Sequence, residues 1–272
     1  MSQETSVQIF IPEEFRQAHY DALIAYLTDS RSLNTAAWRH LYQGIDILAK
    51  AQVVGANQSQ TFRQIYTELI ERPFANQYID LLLQTNDVSV ESPKISANVA
   101  RQIRPILQTA GFLRRDVPYS VILQGYCLYW WQSFARGYAF EVMIMRDLIT
   151  SGIDIQMHDL RNSVERLSPA DLVVLDLLGD IKTSLYFLQE QRRLPNDFYI
   201  TQLYEKGKER TLVVFQKPHA WDVIGGGETV LGSVEEVIDL LPNPVELHHY
   251  GIILIVVDYE TWKRMVRQKQ SG

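Results

Sequence analysis

Residues 168–188, SPADLVVLDLLGDIKTSLYFL, decide how this chain is read. Two runs of Leu and Val form short strands, about 171–175 and 180–188, joined by a tight turn. Asp171 opens the first run, and Asp180-Ile181-Lys182 opens the second. Asp180 and Lys182 are two residues apart, so in an extended strand both side chains leave the same face. Two acids and a lysine among core-forming residues cost free energy unless they pair, bind a cation or take part in chemistry.

Upstream, residues 119–148 carry Val121, Ile122, Leu123, Tyr126, Trp130, Trp131, Phe134, Phe140, Val142 and Ile144. Gly125 and Gly137 interrupt this segment, which reads as two helices or one kinked helix, apolar nearly all round and covered by other elements. Its tryptophans read as core residues before base-stacking ones. Glu141 shares a helical face with Tyr138, Ile144 and Met145, so it needs a partner. That partner is a cation such as Arg136, or else the site formed by the two strands. Gly152 ends the helix, and the alternation in residues 153–160, IDIQMHDL, gives a half-buried strand.

Downstream, residues 189–196 read as a loop or short helix and 198–204 as a helix, with 205–209 turning into the strand 211–216, TLVVFQ. The triplet Gly225-Gly226-Gly227 lacks the Lys-Ser/Thr ending of a phosphate-binding loop and the spacing of a dinucleotide fingerprint, so a mobile loop is expected. Ser233 can cap a helix reaching Leu241. The run 252–257, IILIVV, reads as a strand covered on both faces, and a short helix follows at 261–266. Helix, strands, helix and strand in this order define an α/β core with a mixed sheet.

The first 118 residues read as a helical bundle-like region, and 119–272 as the α/β domain. Phe15, Tyr20, Leu23, Ile24 and Leu27 give one helix. Trp38, Leu41, Tyr42, Ile45 and Leu48 give a second, capped by Asn34. A third, through Phe62, Ile65 and Ile70, is expected to stop before Pro73. A fourth uses Phe74, Tyr78, Leu81 and Leu82. Residues 86–93 read as a polar break, followed by a helix over 96–109. Lys94, Arg101, Arg104, Arg114 and Arg115 form the most basic segment, either a solvated helix face or a patch that follows a phosphate backbone.

The chain has 272 residues, 46% hydrophobic, which supports a real core. Its formal charge of −6 is not that of a general nucleic-acid coat protein, although a local basic groove can sit on an acidic molecule. Cys127 is the sole cysteine, so an internal disulfide and a cysteine-rich zinc site are excluded and a reducing cytoplasm is expected. No secretion signal is visible at the start, and the longest apolar run falls short of the roughly 20 residues a membrane span needs. His158 and the pair His248-His249 are candidate ligands but read first as surface or strand-end residues. No Gly-x-Ser-x-Gly elbow is present, and Cys127 has no visible base, which disfavours nucleophilic hydrolysis.

Carboxylates from two neighbouring strands suit a hard divalent ion, and an adjacent ammonium can orient a water and offset charge on a phosphoryl group. The set Glu141, Asp171, Asp180 and Lys182 resembles that of the PD-(D/E)xK nuclease superfamily. Those proteins have a helix bearing an acid, a three-strand meander with Asp on the second strand and Asp/Glu-x-Lys on the third, then a helix and a strand. The likeness covers about residues 137–217. Three departures stand out: the proline lies two residues before the acid, in Pro169-Ala170-Asp171; the second acid is Asp180, the less common choice; and Gln202 is followed four residues on by Lys206 where some members have tyrosine. The resemblance implies a restriction-endonuclease-like mixed sheet flanked by helices and preceded by the helical N-terminal region. It also implies cytoplasmic Mg²⁺-dependent DNA cleavage, with Mn²⁺ as the alternative ion. The metal ligands would be Asp171, Asp180, Glu141 and the main-chain carbonyl of Ile181, with Lys182 assisting. DNA would be the partner, with a homodimer supplying a site for each strand and no membrane involved. The alternatives are a nuclease-fold module that binds DNA or protein without cutting, and a helical interaction protein in which Asp180 and Lys182 form an ordinary salt bridge.

Overall fold

The computed structural model describes residues 7–55, 59–113, 119–162, 164–184, 194–205, 208–216, 228–230, 240–249 and 252–272. The chain forms two compact units, residues 1–135 and 136–272.

The first unit contains β1 (Gln8–Phe10), α1 (Gln17–Asp29), α2 (Thr35–Leu48), β2 (Gln52–Val54), β3 (Ser59–Thr61), α3 (Phe62–Tyr66), α4 (Arg72–Gln84) and α5 (Val88–Thr109). It also holds the first half of α6 (Ser120–Thr150), inside which the division between units falls. It is not wholly helical, because β1, β2 and β3 make a small antiparallel sheet. Strands of three residues are too short for alternation to reveal. As expected, the Asn34 side chain caps α2, accepting the Ala37 N–H at 2.9 Å.

Two expected helix boundaries move. The helix beginning at Phe62 does not stop before Pro73, because a π turn at Thr67–Glu71 carries it into α4 and puts Pro73 in that helix's first turn. There the missing proline N–H costs little. Likewise, α5 starts at Val88 and absorbs the expected polar break: Asp87 accepts the Ser89 and Val90 N–H groups, and Pro93 and Pro105 lie inside the helix. The buried set of Leu23, Leu41, Leu48, Phe62, Ile65, Tyr78 and Trp131 forms this unit's core. Each such side chain contributes about 1.5–3 kcal/mol on burial. The Tyr78 hydroxyl donates to the Ala135 carbonyl at 2.8 Å and bonds Ser92 Oγ at 2.7 Å. Trp131 is fully buried, with Nε1 on the Ser96 carbonyl at 3.0 Å, a core role.

The 119–148 segment is one helix, α6. Its end is a Schellman motif: Gly152, at φ 71°, donates to the Ile149 carbonyl at 3.0 Å, and Ile153 donates to that of Leu148 at 3.1 Å.

The second unit continues with β4 (Gln156–Met157), β5 (Leu172–Val174), β6 (Leu177–Lys182), β7 (Phe198–Glu205), β8 (Lys208–Gln216), β9 (Glu228–Val230), β10 (Val245–His249), β11 (Ile252–Asp258) and α7 (Tyr259–Ser271). All eight strands join one mixed sheet in the order β4-β5-β6-β7-β8-β11-β10-β9. The β6–β7 and β9–β10 pairs are parallel and the others antiparallel. Strand β4 is two residues long, much shorter than the expected 153–160.

Residues 198–204 are strand, not the expected helix. FYITQLYE alternates, with Phe198 and Ile200 on one face and Tyr199 and Leu203 on the other. Its aromatic and β-branched residues favour a pleated surface, and eight register pairs with β8 hold it there. One sheet face packs Ile181, Phe198, Ile200, Val213, Phe215, Ile255 and Val257 against Phe140, Ile144 and Leu148 of α6 and Trp262 and Val266 of α7. The opposite face buries Tyr199, Leu212, Val214, Val245, Leu247, Leu254 and Val256, so β11 is covered on both sides as its apolar run requires. The expected loop or helix at 189–196, the glycine triplet and the helix from Ser233 fall wholly or largely outside the described residues.

Candidate active site

The turn between β5 and β6 consists of Leu175 and Asp176, at φ 52° and 63°. Two left-handed residues in a two-residue loop match the right-handed twist of the paired strands. Strand β6 therefore starts at Leu177, earlier than the sequence suggests, and Gly179 lies within it. A Cβ at Gly179 would fall 2.2 Å from the Phe198 ring, so glycine is what lets that ring stack under the strand.

This hairpin brings Asp171 beside Asp180. Pairing runs from Leu172↔Gly179 to Val174↔Leu177, and Asp171 lies just past it, its N–H on the Gly179 carbonyl at 2.8 Å. The Asp171 carboxylate turns back into the ladder, where Oδ2 accepts the Ile181 N–H at 2.7 Å. The Asp171 carboxyl is near enough to Asp180 to raise its pKa. Lys182 Nζ stands 2.8 Å from Asp180 Oδ2, with the lysine side chain 44% exposed and the aspartate side chain 8%. Burial, then the Asp171 carboxylate, push Asp180 up to about 7, and Lys182 partly opposes the shift.

Glu141 reaches the same field from α6. Burial raises its pKa first, to about 8, with a further push from Asp171 and Asp180 and an opposing pull from Lys182. The four residues singled out in the sequence thus form one electrostatic cluster of three carboxyls and one ammonium. In kind, this donor set fits a hard divalent ion: every side-chain ligand is oxygen, and the carboxyls outnumber the cations. In arrangement, no group of three or more His, Cys, Asp or Glu side chains among the described residues is set to hold a metal.

Three neighbours carried little or no functional signal in the sequence. His158 donates its backbone N–H to the Asp171 carbonyl at 3.3 Å, and its buried Nδ1 has no hydrogen-bond partner. Tyr199 pairs in register with Asp180, and burial pushes its phenol up to about 12. Thr201 pairs with Lys182 and is fully buried, its hydroxyl without a partner. A four-strand register places them, and no linear motif records that.

The remaining candidates lie elsewhere. Lys94 pairs with Glu91 at 2.8 Å and Arg101 donates along its own helix to the Ala97 carbonyl and Asn98 Oδ1, as expected of a solvated face; Arg114 and Arg115 lie outside the described residues. His248 Nε2 is 3.2 Å from Glu246. Cys127 is fully buried, which pushes its thiol up and away from reactivity. Among the described residues no helix is long and apolar enough to cross a membrane.

No family model, no curated protein and no solved structure matches this chain.

Proposed function

We propose that residues 136–272 form a Mg²⁺-dependent DNA endonuclease unit of the PD-(D/E)xK, restriction-endonuclease-like kind. The observation that carries this reading is the meeting of Asp171, Asp180 and Lys182 at one end of the β5–β6 pair, in the field of Glu141. The order of elements supports it: an acid-bearing helix, three antiparallel strands, then a connection to a strand parallel to the one bearing Asp-x-Lys. A parallel neighbour requires a crossover, and residues 183–197 supply the length.

Asp171 and Asp180 would hold the ion, with the Ile181 carbonyl and Glu141 completing the set. When bound, Mg²⁺ or Mn²⁺ supplies positive charge beside the scissile phosphate and a water of lowered pKa. The Asp171 carboxylate is fixed by the Ile181 N–H and so arrives pre-oriented. Lys182, half exposed beside Asp180, can orient the attacking water and offset charge growing on the phosphoryl oxygens. Burial and mutual repulsion raise Glu141 and Asp180 toward neutrality in the metal-free chain, and a bound divalent ion would favour the ionised form of both. Duplex DNA is the proposed substrate, and a homodimer would present one site to each strand.

Two observations favour the second reading, a nuclease-fold module that binds DNA or protein without cutting. Lys182 is already paired with Asp180, and no set of three metal-binding side chains is assembled among the described residues. Plasmid nicking in Mg²⁺ and in Mn²⁺, by the wild type, Lys182→Ala and Asp180→Ala, separates the two. Cutting by the wild type that both substitutions abolish supports the enzyme. Intact plasmid, single-stranded and branched DNA throughout supports the binding module.

A further inference from the structure

We infer that Asn196 is a positioning residue for the acid pair, the arm that holds the approach to Asp171 so that its carboxylate stays on the Ile181 N–H. Asn196 lies in the return segment 194–197, just before β7, and is 2% exposed. Its Nδ2 donates to the Pro169 carbonyl at 2.6 Å, two residues before Asp171. The arm is itself clamped. The Asn196 N–H donates to the Tyr199 hydroxyl at 3.1 Å, and its carbonyl accepts from Gln216 Nε2 at 2.7 Å. Gln216 Nε2 also reaches the Leu194 carbonyl at 2.8 Å.

The next residue ties the same segment to β6. Asp197 N–H donates to the Leu178 carbonyl at 2.9 Å, and the Leu178 N–H returns a bond to Asp197 Oδ2 at 2.8 Å. The Gln216 N–H donates to the Asp197 carbonyl at 3.1 Å. The return segment is therefore fixed to β6 and β8 by several bonds, but Asn196 Nδ2 carries its bond to the strand bearing Asp171. Strand β5 has three residues, and Asp171 at its entrance is held by backbone bonds to Gly179 and His158, so the Asn196 bond fixes the approach one step further out, at Pro169. Asparagine suits the position because it offers a neutral donor at the end of a short, stiff side chain. An aspartate in its place would present a carboxylate to the Pro169 carbonyl, and an alanine would present nothing.

The consequence for cleavage rests on the nuclease reading proposed above, whereas the consequence for the Asp171 carboxylate does not. The test measures hydrogen exchange at the Ile181 amide in the full chain, for the wild type, Asn196→Asp, Asn196→Ala and Gln216→Ala. Asn196→Asp conserves volume and keeps the test open should the alanine variant not fold. Both Asn196 variants are expected to expose the Ile181 amide about tenfold faster, the scale of one lost charge-assisted hydrogen bond. Gln216→Ala removes one clamp on the Asn196 backbone but leaves its Nδ2 in place, so it should speed exchange at that amide distinctly less than either Asn196 variant. An Ile181 amide unchanged in Asn196→Asp, or lost equally in Gln216→Ala, overturns the inference.

Cleavage of plasmid in saturating Mn²⁺ adds the functional arm. Asn196→Asp should lower kcat about 10–100-fold, the usual scale for a group supporting a metal ligand, with KM for DNA unchanged. Wild-type cutting that Asn196→Asp retains in full overturns the inference and leaves the nuclease standing. A wild type that never cuts, with an Ile181 amide that still responds to Asn196→Asp, supports the positioning role and overturns the nuclease.

Discussion

Glu141→Gln tests the electrostatics of the site through stability alone. The glutamate is held in the folded chain at a pKa of about 8, against an ordinary 4.5, chiefly by burial and then by Asp171 and Asp180, with Lys182 opposing. Between those two values the folded state keeps a proton that the unfolded state has released. Stability is therefore whole below about pH 4.5, falls as pH rises, and the loss is complete above about pH 8. At about 1.4 kcal/mol per pKa unit, the ceiling for this one group is about 5 kcal/mol. Asp180 shares the same field, so removing one charge relieves the other, and about 2–5 kcal/mol is the expected net effect. Glutamine keeps the shape without the charge. The variant should match the wild type near pH 5 and exceed it at pH 9 by roughly 10 °C in Tm for a unit of this size. Thermal melts of both proteins in EDTA, from about pH 4 to 9.5, read this directly. Equal melting points at pH 9, or a variant less stable there than the wild type, would refute the placement of Glu141 in a buried acidic cluster.

Further substitutions probe the parts that build the hairpin and its neighbours. Gly179→Ala puts a methyl 2.2–2.7 Å from three Phe198 ring atoms and should destabilise the second unit by about 1–3 kcal/mol or more in urea melts. Asp176→Gly relieves a left-handed residue at φ 63° and should stabilise by a few tenths to about 1 kcal/mol on chemical denaturation. Tyr78→Phe removes the bonds to Ser92 and the Ala135 carbonyl inside the first unit, costing about 1–3 kcal/mol without altering any activity of the second.

How legible all this was depends on where each signal resides. The hairpin could be read because Leu and Val runs flank Asp171 and Asp180, and a period of two puts Asp180 and Lys182 on one face. Glu141 stood out as an acid on an apolar helical face, and Gly152 as a helix end. Strand β7 was not legible, since FYITQLYE fits a short helix nearly as well until β8 supplies its ladder. Pro73 read as a break because the π turn before it left no mark in the sequence, and residues 86–93 read as one because Pro93 outweighed Asp87, a good N-cap for a helix that starts at Val88 and runs through Pro93. The turn Leu175-Asp176 carries neither glycine nor asparagine, so its left-handed geometry left no mark. Asn196 and Tyr199 could not be found from the sequence at all, and His158 stood out only as a histidine that reads first as a surface or strand-end residue. Each reaches the acids through a strand register or a tertiary hydrogen bond, between positions 13 to 27 residues apart.

The proposed cutting of DNA by Asp171, Asp180 and Lys182 with a divalent ion meets its sharpest test in single-turnover cleavage of end-labelled DNA in Mn²⁺. The substrates are duplex, branched and single-stranded DNA, and the proteins are the wild type, Asp180→Asn and Lys182→Met. Wild-type cutting that EDTA abolishes is expected, slowed by a factor of about 10² or more in each isosteric variant whose fold is intact. Cutting that survives both substitutions, or no cutting of any substrate by the wild type, would contradict it.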